Sequence, residues 1–223
     1  MYVLTINQRD SREAGDLVDD LVKALRPVPA VLPFQRSVGD EAIGVVAGPE
    51  AAVDAALRAL RGRRWNVGIG VGPVGAVEPA AHLGADLSVL PGSLPDTQDL
   101  RDVGGPGLVY ARRAVEEAAR NGVRVPVAVD GPDQEAAAQA AAVLRLVGQL
   151  VLTRTDAEWA VLDLMVPGVR GQQKLVAAEL GITVQAVSKA VQRSFWAEEH
   201  ACRPAAARLL GLVDAAGVPA PAG

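Results

Sequence analysis

The chain predicts an α+β protein: a ferredoxin-like βαββαβ core extended by one α–β unit, followed by an all-α (winged-)helix–turn–helix domain. Three observations predict it. Over residues 1–130, short apolar runs of strand type alternate with segments of helical period. Gly39-Asp40 separates two of those runs as a hairpin turn does. Beyond Gln134 the pattern is helical throughout, and a Gly-Ile-Thr turn at Gly181 divides two short amphipathic segments.

The elements follow in order. Met1 to Asn7 alternates Tyr2, Leu4 and Ile6 with Val3 and Thr5, a strand. Arg12 to Leu25 carries Leu17, Val18, Leu21, Val22 and Leu25 on one stripe, a helix stopped by Pro27 and Pro29. Val31 to Ser37 and Ala42 to Ala47 are the hairpin strands. Pro49, suited to a first helical turn, opens a helix to about Arg61. Trp65 to Gly72 is a strand, and residues 73–107, rich in Pro and Gly, read as a long irregular excursion. Leu108 to Arg120 is helical and Val123 to Val129 a last strand. Gln134 to Leu152 is a long Ala/Leu helix that connects domains or pairs with its own copy in a dimer. Asp156 to Met165 is a helix starting at a Thr-Asp cap; Glu198 to Val213 closes the chain, kinked or split at Pro204. The expected domains are residues 1–131, a connecting helix 132–153, a helix–turn–helix domain 154–214 and a disordered tail 215–223.

Composition narrows the function. Half of the 223 residues are hydrophobic but only 3% are aromatic, so the core must be Ala, Val and Leu. No apolar run approaches the roughly 20 residues that span a bilayer, and the N-terminus lacks the basic start of a secretory leader; a cytoplasmic protein is expected. The lone Cys202 excludes an internal disulfide, and with only His82 and His200 beside it a Cys/His zinc site is not expected. The net charge of −4 argues against wholesale coating of nucleic acid, and it is uneven. Residues 151–223 hold seven basic and seven acidic side chains; residues 1–150 carry the whole −4.

The segment Gln172 to Arg193 carries the most information. Its first helix runs to Leu180, Gly181 supplies the turn, and Thr183 caps the second helix. Ala186, Val187, Ala190 and Val191 fall on the core side. Thr183, Gln185, Ser188, Lys189, Gln192 and Arg193 fall on the other, and none of them is acidic. Gln185 and Gln192 suit adenine; Lys189 and Arg193 suit guanine or phosphate. The bland alternative is an amphipathic helix pair with a solvated face. Trp159 and Trp196 flank the pair and read as anchors of its small core.

Four motifs carry a resemblance: Asp10-Ser11-Arg12, Gly39-Asp40-Glu41, Gly68-Ile69-Gly70-Val71-Gly72, and Gly105-Pro106-Gly107 leading into Ala111-Arg112-Arg113-Ala114. Their order and spacing resemble the SatD family over about residues 1–200. That resemblance implies a nucleotide-cyclase-like first domain and a helix–turn–helix C-terminal part. In cyclases an Asp at the end of the first strand and an acid at the hairpin hold divalent metals on nucleotide phosphates. Here Asp40 and Glu41 stand at the hairpin, but Asn7 stands where the first-strand Asp is expected, and a neutral amide is a weak metal ligand.

The remaining candidates have plainer readings. Asp10 or Ser11 serves as a helix N-cap, with Arg12 able to contact an anion at the strand ends. Gly68, Gly70 and Gly72 lie inside a strand rather than in a strand-to-helix turn, so they read as close backbone packing, not a dinucleotide loop. Ser88, Ser93 and His82 read as loop residues. The sequence therefore predicts a DNA-binding transcriptional regulator with double-stranded DNA as partner, not an enzyme and with no cofactor, acting as a homodimer. The alternative is a metal-dependent nucleotide-binding or nucleotide-processing protein using Asp10, Asp40 and Glu41 with Arg12 nearby, for which a divalent metal or a nucleotide is the ligand.

Overall fold

A computed structural model describes residues 1–76, 99–120 and 122–215, without the side chains of 12 and 215. The expectations placed on Ser88, Ser93, His82 and the tail beyond 215 lie outside the described residues.

The protein is α+β, built on a five-stranded mixed sheet. Strands β1 (Tyr2–Gln8), β2 (Leu32–Arg36), β3 (Glu41–Val46), β4 (Trp65–Val71) and β7 (Val127–Asp130) lie in the order β2-β3-β1-β4-β7. The first four pair antiparallel and β7 joins β4 in parallel. Two-residue strands β5 (Gly75–Ala76) and β6 (Val103–Gly104) pair with each other within the segment expected to be irregular. Pro126 precedes β7, which is an edge strand and tolerates a residue without an N–H there; the strand consequently starts four residues later than Val123.

The helix expected over Arg12 to Leu25 is two helices, α1 (Ser11–Ala14) and α2 (Val18–Leu25). Gly15, at φ 73°, breaks it. The side chain of Gln8 holds the break: its Nε2 donates to Gly15 O at 2.5 Å and its Oε1 accepts from Leu17 N at 2.8 Å. α3 (Pro49–Arg61) begins at its proline as expected. α4 (Pro106–Ala118) begins two residues earlier than Leu108, with Pro106 in its first turn.

The sheet has unequal faces. Tyr2, Leu4 and Ile6 join Val67, Ile69 and Val71 against α2, α3 and α5 (Gln134–Thr153) in the main core. Val3 and Val45 face the other way, towards α4. There Gly68 and Gly70 matter through their missing side chains. A Cβ on Gly70 would stand 2.2 Å from Ala111 N, and one on Gly68 2.2 Å from Val115 N, so α4 lies directly on the backbone of β4. The packing reading of these glycines is what the structure shows.

α5 is 20 residues long and, by length and composition, apolar enough to cross a bilayer, which the sequence reading did not credit. Here its Ala137, Ala140, Leu144 and Val147 are buried in the main core, and Arg145 donates to Val127 O. α6 (Asp156–Leu162) starts at the Thr155 capping box, whose hydroxyl accepts from Glu158 N. α7 (Gln173–Leu180) and α8 (Val184–Arg193) follow, then α9 (Trp196–Ala215), which runs unbroken through Pro204 where a kink or split was expected. The far half of α9 returns to the main core through Ala206, Ala207, Leu210 and Val213.

A charged junction fastens α8 to the sheet body. Arg154, 2% exposed, donates from Nε to Ser194 O just beyond α8 and from Nη1 to Glu199 on α9 at 3.1 Å. Burial pulls the Arg154 guanidinium below its ordinary value, and Glu199 opposes that. Arg203 bridges Glu199 at 2.5 Å and Asp54 at 2.9 Å, while both terminal nitrogens of Arg61 meet Asp163 at 2.7 Å. Phe195 closes the bend between α8 and α9 at φ 50°.

Candidate nucleic-acid interface

The C-terminal helices form a small core of their own. Val161 of α6, Val176 and Ala177 of α7, and Val187 of α8 are buried together, with Met165, Leu180, Ala190 and Val191 packed around them. No aromatic joins this cluster among the described residues. Trp159 packs instead against the main core and Trp196 stacks edge-on with His200, so neither anchors the small core as expected.

The turn between α7 and α8 is fixed by local chemistry. Gly181 takes φ 64° and ψ 30°, the left-handed region that a Cβ penalises. Ile182 N donates to Ala177 O at 3.0 Å and Gly181 N to Ala178 O, a Schellman closure of α7. Thr183 Oγ1 then accepts from Ala186 N at 3.1 Å and caps α8. Upstream, the side chain of Gln172 pins the approach: its Oε1 accepts from Val166 N and its Nε2 donates to Val166 O and Val169 O, each at 2.8 Å.

With α8 docked through Val187, the structure leaves Thr183, Gln185, Lys189, Gln192 and Arg193 exposed on one side; Ser188 is half-buried at the edge of the packed strip. Ala186, expected in the core, is exposed. It lies in the first turn of α8, outside the strip that Val187, Ala190 and Val191 make with α6 and α7. Among the described residues neither Lys189 nor Arg193 has an ion-pair partner. Arg170, before α7, and Lys174, in its first turn, are exposed too.

The acidic candidates gather at the opposite kind of place, one end of the sheet. Asn7 of β1 stands directly opposite Glu41 of β3 and opposite Asn66 of β4. Asn66 Nδ2 donates to Asn7 Oδ1 at 2.8 Å. Asp40 O accepts from Gln8 N, which holds the hairpin against the end of β1. Burial pushes the Glu41 carboxyl up, opposed by the Arg112 guanidinium. Asp10 is exposed in the left-handed region at φ 54°, and its side chain caps nothing; its carbonyl accepts from Glu13 N and Ala14 N instead. The N-cap expectation is corrected accordingly. Arg12 stands in α1, and its side chain lies outside the described residues. Among the described residues no three of His, Cys, Asp and Glu gather as a metal site.

Compared with protein-family models, with curated proteins and with solved structures, the chain matches none.

Proposed function

We propose that this protein is a DNA-binding transcriptional regulator whose α7–turn–α8 unit is a helix–turn–helix. The observation that carries the reading is the face of α8: Gln185, Lys189, Gln192 and Arg193 are exposed, Lys189 and Arg193 have no ion-pair partner among the described residues, and the helix is held at its start and far end. In this reading α8 lies in the major groove, with Gln185 and Gln192 on adenine edges and Lys189 and Arg193 on guanine or phosphate. Thr183 and Ser188 contribute hydroxyls, and Arg170 and Lys174 reach flanking phosphates. One such unit makes few phosphate contacts, so the protein acts as a homodimer on two half-sites.

The order β2-β3-β1-β4, antiparallel throughout, supports reading the first domain as ferredoxin-like and, with the motifs it carries, as SatD-like. That domain dimerises or senses a ligand. The test is fluorescence anisotropy on DNA from the protein's own promoter across a salt series. Tight, salt-sensitive binding that Lys189→Ala/Arg193→Ala removes supports the reading. Binding that the double variant leaves intact overturns it.

A nucleotide-processing reading rests on Asp40 and Glu41 beside the end of β1, with Asp10 on the loop beyond. It expects Mg²⁺ with a nucleotide to raise Tm and Asp40→Ala to abolish the rise; no shift with any nucleotide removes it.

A further inference from the structure

Neighbouring strands of the sheet carry arginines at one shared end. Arg9 follows β1, Arg64 precedes β4, and Arg124 stands just before β7. β1 runs antiparallel to β4 and β7 runs parallel to it, so all three arginines belong to the same end. Arg9 N donates to Arg64 O at 2.7 Å and Val67 N to Pro126 O at 2.8 Å, which sets the three segments side by side. β1 and β7 flank β4, so they stand two strand spacings apart, about 10 Å. α4 runs back along β4, since Gly70 meets Ala111 and Gly68 meets Val115, and it brings Arg120 to the same end. All four arginines are exposed, and none has an ion-pair partner among the described residues. Asp40 and Glu41 lie across β1, on the β2–β3 hairpin; Asp10 follows Arg9, and Asp156 is met by Arg63 at 3.8 Å.

We propose that Arg9, Arg64 and Arg124, with Arg120 beside them, form a second contact surface for the phosphate backbone of double-stranded DNA. The proposal rests on the DNA-binding reading of the protein, but not on the contacts of α8. Charge complementarity selects the partner. In a chain of net charge −4, arginines gathered without counter-ions keep a local positive field, and a row of phosphates matches it. A guanidinium is charged at every working pH and offers a planar fork of donors to phosphate oxygens. Place supports it as well. Arg63, the neighbour of Arg64, bonds Arg154 O and Asp156 at the start of α6, and α6 packs on α8 through Val161 and Val187. The row therefore adjoins the helix–turn–helix unit. Phosphate contacts carry no sequence information, so this surface adds affinity and fixes orientation while α8 reads bases. It adds to the few phosphate contacts that one such unit makes.

The test is fluorescence anisotropy of the full chain on two duplexes, one from its own promoter and one of unrelated sequence, each across a salt series. Arg9→Gln/Arg64→Gln/Arg124→Gln removes the charge of the row with little change in size. The slope of log affinity against log salt is expected to fall by about 3, close to one for each phosphate contact, and equally on both duplexes. Arg9→Lys/Arg64→Lys/Arg124→Lys keeps the charge and should keep most of the slope. Arg26→Gln/Arg101→Gln/Arg208→Gln removes as much charge from exposed positions elsewhere and should leave the slope unchanged. An unchanged slope in the first variant overturns the proposal. If inorganic triphosphate then raises Tm in the unaltered protein and not in that variant, the row belongs to a small polyphosphate instead. An equal fall in the first and third variants also overturns it, because the effect is then one of net charge. A loss confined to Lys189→Ala/Arg193→Ala leaves α8 as the reader and removes the row. A loss confined to the row does the reverse. An unaltered protein that binds neither duplex at low salt overturns both.

Discussion

The cationic side chains of α8 and those of the junction behind it are chemically alike and placed to opposite effect. At the junction each guanidinium meets a carboxylate: Arg58 and Asp54 at 2.7 Å, Arg61 and Asp163 at 2.7 Å, Arg154 and Glu199 at 3.1 Å. On α8, Lys189 and Arg193 are exposed, with no ion-pair partner among the described residues. Paired charges cancel one another's field within a few ångströms, and unpaired ones project it into solvent. The difference explains how residues 151–223 can be neutral in sum and still present a positive face. Charge content says little about a surface until the pairing is known.

The comparison can be broken most forcefully at Glu199, which is 1% exposed. Glu199→Ala leaves Arg154 charged and buried without its partner, and the expected loss is about 3–5 kcal/mol, read from the urea midpoint. A loss below about 1 kcal/mol would mean that the junction does not bear on stability. Next comes Thr183→Ala, which removes the cap of α8 and should cost about 1 kcal/mol by the same measurement.

Lys189→Ala/Arg193→Ala sharpens the contrast from the other side. Stability should stay within about 0.5 kcal/mol, because both side chains are exposed and neither has an ion-pair partner to lose among the described residues. The slope of log affinity for DNA against log salt should nevertheless fall by about 2, close to one for each phosphate contact. A stability loss comparable to that of Glu199→Ala would erase the distinction between the two surfaces.

The smallest effect concerns Glu41, whose pKa burial raises in spite of Arg112. A carboxyl with a raised folded-state pKa binds its proton more tightly in the folded protein than in the unfolded chain. Stability is therefore lost as pH rises from the unfolded value through the folded one, and above it the penalty is complete. Glu41→Gln should raise Tm slightly at neutral pH and leave it unchanged in acid, where the carboxyl is protonated in both states. A gain of equal size at both pH values would trace the effect to shape and not to charge.

Much of the architecture was legible in the chain. Strands β1, β3 and β4 and helices α3, α5, α7 and α8 fall within a residue or two of their periodic patterns, helped by start or stop signals such as Pro49, Gly181 and Thr183. The break at Gly15 was not legible, since it depends on Gln8, a strand residue whose side chain reaches across to hold it. The face of α8 was legible for Gln185, Lys189, Gln192 and Arg193, which periodicity puts opposite Val187. Ala186 was misassigned because periodicity gives an angle around a helix and not the width of the neighbour it meets.

By itself the sequence determined local decisions such as the left-handed turn at Gly181, the Thr183 cap of α8, and which stripe of a segment such as α3 is apolar. These depend on neighbours within a few positions. Only the tertiary structure decided the rest. It set Asn7 against Glu41 and Asn66, paired the junction arginines with acids up to 149 positions away, and buried Arg154 between Ser194 and Glu199. The physical reason is that pairing and desolvation are properties of distance in space, and segments remote in the chain come together only when the sheet and its helices close around one core.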